Sequence, residues 1–175
     1  MKLARLLFAG AMFAASALIL SGAPVAQAGI ACTITGTAGP DSLTGTSGHD
    51  VICGLGGSDS IDGRAGNDIL SGGPGHDLVF GEGGDDVVQG GLGRDNVYGG
   101  TGAYRVFGGP DSDFSLDGGP GPDYLNGGAG NDLCIHSVDL HTNDTVVGGP
   151  GTDVFESDPG DTVRSAEIAR VCFPV

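Results

Sequence analysis

The chain of 175 residues has no tryptophan, few other aromatic residues, and only seven basic residues against 22 acidic ones. Its formal net charge of −15 argues against nucleic acids and anionic membrane surfaces as partners, because both carry charge of the same sign. The shortage of large apolar side chains also excludes a broad core, since little apolar area is available to offset the conformational entropy of folding. We therefore expect a positively charged ligand to complete the fold.

Long hydrophobic runs are confined to the N-terminus. A short basic start precedes the apolar segment from Leu6 to Leu20, which is too short to span a bilayer comfortably. Ala26 and Ala28 then provide the small residues of a cleavage site. We interpret residues 1–28 as a secretory signal peptide, which predicts a secreted, extracellular protein with no membrane insertion after cleavage. An uncleaved membrane anchor is the alternative.

Glycine, by contrast, is abundant, with 36 residues arranged largely in a period of nine. The stretch GGPGHDLVF at 72–80 shows the pattern, with glycine in first, second and fourth place, aspartate in sixth and an aliphatic residue in eighth. Thirteen blocks begin at residues 36, 45, 54, 63, 72, 81, 90, 99, 108, 118, 127, 139 and 148. The block at 108 carries one extra residue, where we expect a bulge, and three residues, 136–138, precede the block at 139.

The period predicts an all-β solenoid. Three residues around eighth place form a short strand whose middle side chain points inward, because strand side chains alternate between faces. The preceding residues turn the chain, and their glycines allow positive φ and close backbone approach. Each block is then half a coil of a parallel solenoid with two narrow sheets. Its interior is a thin column of Val, Ile and Leu, with Ser115 and Cys134 in eighth place of two later blocks.

The sixth place holds aspartate in twelve of the thirteen blocks. Two blocks on, the turn returns to the same edge, so Asp50 is expected to stack on Asp68 at the spacing of neighbouring strands. Such a row of like charges is costly unless a cation lies between successive turns. Ca²⁺ takes six to eight oxygen ligands from carboxylates and carbonyls, whereas Mg²⁺ demands smaller octahedral sites. Solubility alone would scatter the charges, so we predict Ca²⁺ binding that is coupled to folding.

Four blocks match the nonapeptide G-G-x-G-x-D-x-U-x in full: GGPGHDLVF at 72, GGLGRDNVY at 90, GGPGPDYLN at 118 and GGAGNDLCI at 127. In these blocks the chain resembles the RTX, or haemolysin-type, calcium-binding repeat family. The resemblance implies a right-handed parallel β-roll with nine residues per half-coil. It also implies that Ca²⁺ lies between turns n and n+2, held by sixth-place aspartates and glycine carbonyls.

Carried onto this sequence, the resemblance implies a set of metal ligands that share the sixth or the fourth place of their blocks. They are Asp41, Asp50, Asp59, Asp68, Asp77, Asp86, Asp95, Asp113, Asp123, Asp132 and Asp153, with Gly57, Gly66, Gly75, Gly84 and Gly93. The best sites pair Asp41 with Asp59, Asp50 with Asp68, Asp59 with Asp77, Asp68 with Asp86, and Asp77 with Asp95. Tyr104 departs from the pattern, so sites in the turn of 99–107 are expected to be weak or empty.

Four cysteines, Cys32, Cys53, Cys134 and Cys172, predict two disulfides in an exported chain. Three pairings are possible. We favour Cys32–Cys53 and Cys134–Cys172, because each pair would close an end of the solenoid, where the apolar column needs a cap. The predicted domain spans 29–175, with a lead-in at 29–35 and a C-terminal cap at 157–175 that adds a strand at Thr162–Val163.

The function predicted from the residues is multi-site calcium binding outside the cell. No HExxH, GxSxG or Walker motif occurs, and the lead-in and cap leave no room for a catalytic domain, so we do not expect an enzyme. The alternative is a cell-surface adhesion or matrix protein in which Ca²⁺ only rigidifies the rod. The sequence does not identify the extracellular polymer that such a protein would bind.

Overall fold

The computed structural model describes residues 31–137, 143–164 and 168–169, so the predicted signal peptide and Cys172 lie outside the described residues. Within these ranges all regular structure is β-strand, and no helix there is long and apolar enough to cross a membrane. The strands are β1 Ile34–Thr35, β2 Ser42–Thr44, β3 Val51–Cys53, β4 Ser60–Asp62, β5 Ile69–Pro74, β6 Leu78–Gly83, β7 Val87–Leu92, β8 Asn96–Thr101, β9 Arg105–Pro110, β10 Ser115–Asp117, β11 Tyr124–Ala129, β12 Ile135–Ser137, β13 Thr145–Val147, β14 Val154–Ser157, β15 Thr162–Arg164 and β16 Ile168–Ala169.

Odd-numbered strands form one eight-stranded parallel sheet, and even-numbered strands form the other. Each strand pairs with the strand two positions along the chain, so the chain alternates between sheets as it advances. Ile52 lies opposite Leu70, and Leu70 opposite Val88, which is a register of two nine-residue blocks per coil. The parallel two-sheet solenoid predicted from the period, and the parallel β-roll that the family resemblance implies, are therefore confirmed.

The interior is a single column of inward-facing side chains, most of which come from eighth place. Ile52, Ile61, Leu70, Val79 and Val88 are fully buried, and each coil contributes one such side chain from each sheet. At about 25 cal/mol per Å² of buried apolar surface, a column one side chain wide contributes far less than the core of a compact domain. The turns must therefore supply much of the remaining stability.

The register after residue 108 differs from the prediction at two strands. The buried members of the column are Leu116 and Ile135, which pair with each other, rather than Ser115 and Cys134. The predicted eighth place is therefore wrong by one residue in both blocks.

The physical reason is an extra residue directly after the sixth-place aspartate. Phe114 and Leu133 occupy this position in the two blocks, and their side chains are exposed. A bulge places two residues opposite one on the neighbouring strand, and packing of the next apolar side chain restores the inward position one step later. The extra residue predicted in the block at 108 is present, and a second one follows in the block at 127.

The strands extend into both predicted ends of the solenoid. β1 lies in the segment predicted as a lead-in and pairs with β3. The final strand predicted at Thr162–Val163 is present as β15, which pairs with β13, and β16 pairs with β14. The lead-in and the cap thus continue the two sheets.

Cys32 and Cys53 form a disulfide, which confirms the first predicted pairing. The bond joins the segment before β1 to the end of β3, one coil further along. The second predicted pairing includes Cys172, which lies outside the described residues. None of the described cysteines is free.

The double substitution Cys32→Ser and Cys53→Ser is expected to lower the free energy of unfolding by roughly 3 kcal/mol, because the bond closes a loop with a sequence separation of 21. Urea unfolding followed by far-UV circular dichroism measures the change. An unchanged midpoint and slope would show that the first coil is held by its strand pairing alone.

Candidate metal centres

The sixth-place residues lie in two rows, one along each edge of the solenoid, where the turns join the two sheets. The first edge carries Asp41, Asp59, Asp77, Asp95, Asp113, Asp132 and Asp153. The second edge carries Asp50, Asp68, Asp86, Tyr104, Asp123, Asp144 and Asp161.

Backbone-to-carboxylate hydrogen bonds join successive turns in each row, except at Tyr104, which has no carboxylate to accept the N–H of Asp86. The N–H of Asp59 donates to Oδ1 of Asp77 at 2.8 Å, and the N–H of Asp77 donates to Oδ1 of Asp95 at the same distance. Equivalent bonds join Asp41 to Asp59, Asp50 to Asp68, and Asp68 to Asp86. The five predicted pairs are therefore stacked one coil apart, while their role as metal ligands stays a prediction.

The other carboxylate oxygen, Oδ2, is buried and has no hydrogen-bond partner in many of these turns. This holds for Asp59, Asp68, Asp77, Asp95, Asp113, Asp132 and Asp153. An unpaired buried polar group costs about 1–3 kcal/mol, and more when it is charged. These oxygens therefore require either a proton or a cation.

Each unpaired oxygen borders a gap left by the missing side chain of the first-place glycine in its own turn. A Cβ on Gly90 would lie 2.5 Å from Oδ2 of Asp95 and 2.8 Å from the carbonyl oxygen of Gly108, one coil further on. On the second edge, a Cβ on Gly63 would meet Oδ2 of Asp68 and the Gly81 carbonyl oxygen in the same way. We call this gap, with its carboxylate and carbonyl oxygens, a cradle. Its donors are those that hard divalent cations prefer.

Cradles of this kind repeat along the first edge. They lie at Gly54, Gly72, Gly90, Gly108 and Gly127, where the carbonyl donors are Gly72, Gly90, Gly108, Gly127 and Gly148. These first-place carbonyls are not among the ligands predicted from the sequence. The signal was present, because the first place is glycine in nearly every block.

The predicted fourth-place glycines also stack along the edges. A Cβ on Gly75 would overlap the carbonyl oxygen of Gly57, and one on Gly84 would overlap that of Gly66. The same position on Gly75 lies 3.2 Å from Oδ1 of Asp77. Fourth-place carbonyls thus lie beside the carboxylates. Gly93 stacks on the carbonyl oxygen of Gly75 in the same way, and its N–H also donates to Oδ2 of Asp111.

At the first turn of each row, hydrogen-bond donors from the protein satisfy the carboxylate. Oδ2 of Asp41 accepts the N–H and the hydroxyl of Thr37, at 2.6 and 2.9 Å. Oδ2 of Asp50 accepts the same pair of groups from Thr46, at 2.7 and 2.8 Å. Both threonines occupy second place. These two predicted ligands therefore have their Oδ2 atoms satisfied by the chain itself.

The second edge also continues beyond the predicted ligands. Asp144 accepts the N–H of Asp123, and Asp161 accepts the N–H of Asp144 at 3.0 Å. Oδ2 of Asp161 is bound by the N–H of Asp158 and the hydroxyl of Ser137. Asp161 was missed because its block lacks the leading glycines, although it lies two residues before Val163 of β15, the normal spacing of the repeat.

Burial raises the pKa of the carboxyl groups in the middle of the rows. Desolvation raises the pKa of Asp77 and Asp95 to about 6, and that of Asp113 to about 8, against the smaller opposing effect of the backbone N–H. At Asp50 the pKa is lowered instead, because the backbone and hydroxyl of Thr46 donate to the carboxylate. The central carboxylates therefore resist ionisation unless a positive charge compensates.

Among the described residues, no three or more His, Cys, Asp or Glu side chains converge on one point as a metal centre. A cation at these edges would instead combine carboxylates with main-chain carbonyls. In the turn that contains Tyr104 the row has no carboxylate, so the expectation of weak or empty sites there stays a prediction.

A parallel β-roll with carboxylate and carbonyl oxygens stacked at its glycine turns is a solenoid built to bind hard cations. The profile of the RTX calcium-binding nonapeptide repeat matches residues 33–61, 46–79, 54–88, 80–114, 115–136 and 142–163, which together cover most of the sequence. The chain belongs to this family, and its repeats imply calcium binding. None of the curated proteins matches the chain significantly.

Proposed function

We propose that the protein is a secreted calcium-binding module in which several Ca²⁺ ions bind between stacked turns and drive folding. The observation that carries the proposal is the set of buried Oδ2 atoms that have no partner and lie beside a carbonyl oxygen of the next coil. A bound Ca²⁺ supplies the positive charge that these oxygens lack. Asp59, Asp77, Asp95, Asp113 and Asp132 hold it on the first edge, and Asp68 holds it on the second.

Coupling to folding follows from the weakness of the remaining interactions. The apolar column is one side chain wide, and the chain carries a net charge of −15. Stacked carboxylates repel one another when the metal is absent. Because the ligands come from different coils, an unfolded chain has no preformed site, and the free energy of binding becomes free energy of folding.

Secretion is supported by the N-terminal sequence and by the disulfide between Cys32 and Cys53, since disulfides persist in oxidising compartments. Outside the cell the protein binds Ca²⁺ ions. It binds no nucleic acid and catalyses no reaction. The alternative is an adhesion or matrix protein in which Ca²⁺ only rigidifies a rod that is already folded.

Far-UV circular dichroism of the oxidised chain during a calcium titration separates the two functions. We expect a coil-like spectrum in chelator that turns cooperatively to β-structure at high micromolar to millimolar Ca²⁺, the range of extracellular modules. Mg²⁺ at the same concentrations is the control and should have little effect. A full β spectrum in chelator, with Ca²⁺ only raising the melting temperature, would favour the rigid rod.

A further inference from the structure

We propose that the side chain of Tyr104 takes the place of calcium on the second edge. Its ring fills two successive cradles, so only the first edge carries an unbroken row of ions. The inference rests on the proposed function, because it concerns which of the cradles bind Ca²⁺. It adds a device that the repeat pattern does not contain, a neutral side chain that joins coils where other turns need metal.

The ring lies in the gaps that first-place glycines leave open elsewhere. Tyr104 is only 1% exposed. A Cβ on Gly81 would lie 2.7 Å from Cε1 of the ring, and a Cβ on Gly99 would lie 2.8 Å from its Cγ. At the matching position on the first edge, the atoms nearest to a Cβ on Gly90 belong to the Asp95 side chain and to the Gly108 carbonyl, and no ring lies among them. One aromatic ring thus occupies the volume of two cation cradles.

Tyr104 keeps two of the connections between neighbouring coils. Its N–H donates to Oδ1 of Asp123 at 2.8 Å, although its side chain offers no carboxylate oxygen to the N–H of Asp86, so the ladder of the second edge is broken at that one step. Its hydroxyl donates to the carbonyl oxygen of Glu82 at 2.9 Å, in the preceding coil. The backbone N–H and the hydroxyl of Tyr104 therefore link its turn to the coils on either side without any metal.

The exchange of carboxylate for phenol also removes a charge from the centre of the row. Asp86 on one side and Asp123 on the other are then two coils apart, and the like-charge repulsion of a continuous row falls. In the described residues, the cradle of the second edge that combines an unpaired Oδ2 with a neighbouring carbonyl oxygen and holds no ring lies at Gly63, whereas the first edge has an uninterrupted series from Gly54 to Gly127.

The test is the number of Ca²⁺ ions bound per chain, measured by equilibrium dialysis at saturating calcium. Tyr104→Asp restores the carboxylate and opens the cradles at Gly81 and Gly99, so we expect one to two more ions than in the wild type. Tyr104→Phe keeps the ring and is expected to leave the number unchanged. The reciprocal variant Asp95→Tyr moves the ring to the first edge and is expected to bind one to two fewer ions.

An equal number of ions in the wild type and in folded Tyr104→Asp would overturn the inference. So would an unchanged number in folded Asp95→Tyr, and this variant decides the matter if Tyr104→Asp does not fold. The number of ions bound by the wild type distinguishes a failure of the proposed function from a failure of the inference about Tyr104. A wild type that binds no Ca²⁺ contradicts the proposed function, whereas a wild type that binds and folds, with variants that do not differ, contradicts only the role of Tyr104.

Discussion

Replacing Gly93 by alanine is expected to lower the free energy of unfolding of the calcium-loaded protein by about 3 kcal/mol. Gly93 has a φ of +119°, where an ordinary side chain costs about 1–3 kcal/mol. Its Cβ would also overlap the carbonyl oxygen of Gly75 in the neighbouring coil, so the two turns would have to separate. Urea unfolding in saturating calcium, followed by circular dichroism, measures the loss.

Gly48→Ala is the matched control, because Gly48 also occupies the fourth place of its block. Gly48 is not among the glycines with positive φ, and a Cβ there would meet only the Thr46 hydroxyl at 3.9 Å. We expect its free energy of unfolding to change by no more than about 0.5 kcal/mol. Equal losses in the two variants would show that the fourth place needs glycine for some reason other than the stacking of carbonyls.

The overall fold was predictable from the sequence because each block repeats the same pattern of glycine, aspartate and aliphatic residues. Asp68 and Asp86 stack because two blocks of nine residues make one coil, and the same spacing places Leu70 beside Val88. Strand alternation and the turn-forming glycines then leave one arrangement for the column. When one block departs from the repeat, the strands of the neighbouring blocks still determine the pairing. The architecture can therefore be predicted even where a single position is assigned wrongly.

The two bulges were harder to predict because the deciding interaction is packing. GGAGNDLCI fits the nonapeptide in full, yet Ile135 rather than Cys134 enters the column. The larger aliphatic side chain fills the interior better, and the exposed Leu133 leaves the strand to make this possible. A motif match compares residue types only. It does not compare the packing of Cys134 in the column with the packing of Ile135 there.

The donor atoms of the candidate sites were only partly predictable for a related reason. Residue type identifies the carboxylates, but the direction of a glycine carbonyl depends on the backbone of the whole turn. Leu55, Arg64 and Glu82 show how strongly the coil dictates that backbone, since all three have φ between 74° and 76° without being glycine. The coil therefore imposes a conformation that these side chains alone would disfavour by about 1–3 kcal/mol each.

Metal-stripped protein is expected to gain β-structure as the pH falls from about 7.5 to about 4.5. The folded-state pKa is raised to about 6 in Asp77, Asp86, Asp95 and Asp132, and to about 8 in Asp113, by burial above all. The unfolded-state pKa is about 3.9, so the folded chain holds protons that the unfolded chain releases. This stabilisation is complete below about pH 4 and is lost as the pH rises through 6 and, for Asp113, through 8.

Calcium is expected to reverse this pH dependence, because Ca²⁺ binds the ionised carboxylate and competes with the proton. Circular dichroism of stripped and calcium-loaded protein across the same pH range measures both slopes. One pKa unit corresponds to about 1.4 kcal/mol, so a single buried carboxyl group changes the free energy of unfolding by on the order of 3 kcal/mol. Parallel slopes with and without calcium would contradict the assignment of these carboxylates as ligands.

The variant Asp113→Asn distinguishes the effect of a buried carboxylate on folding from the effect of the net charge of the chain. Asparagine keeps the acceptor for the N–H of Asp95, which lies 3.0 Å from Oδ1, but cannot ionise. The stripped variant is therefore expected to be more folded than the wild type at about pH 7.5, and the loaded variant to bind one ion fewer. Asp111→Asn removes the same charge from an exposed side chain in the same turn and should do neither. If both variants stabilise the stripped protein equally, repulsion across the whole chain, rather than the buried rows, keeps it unfolded without calcium.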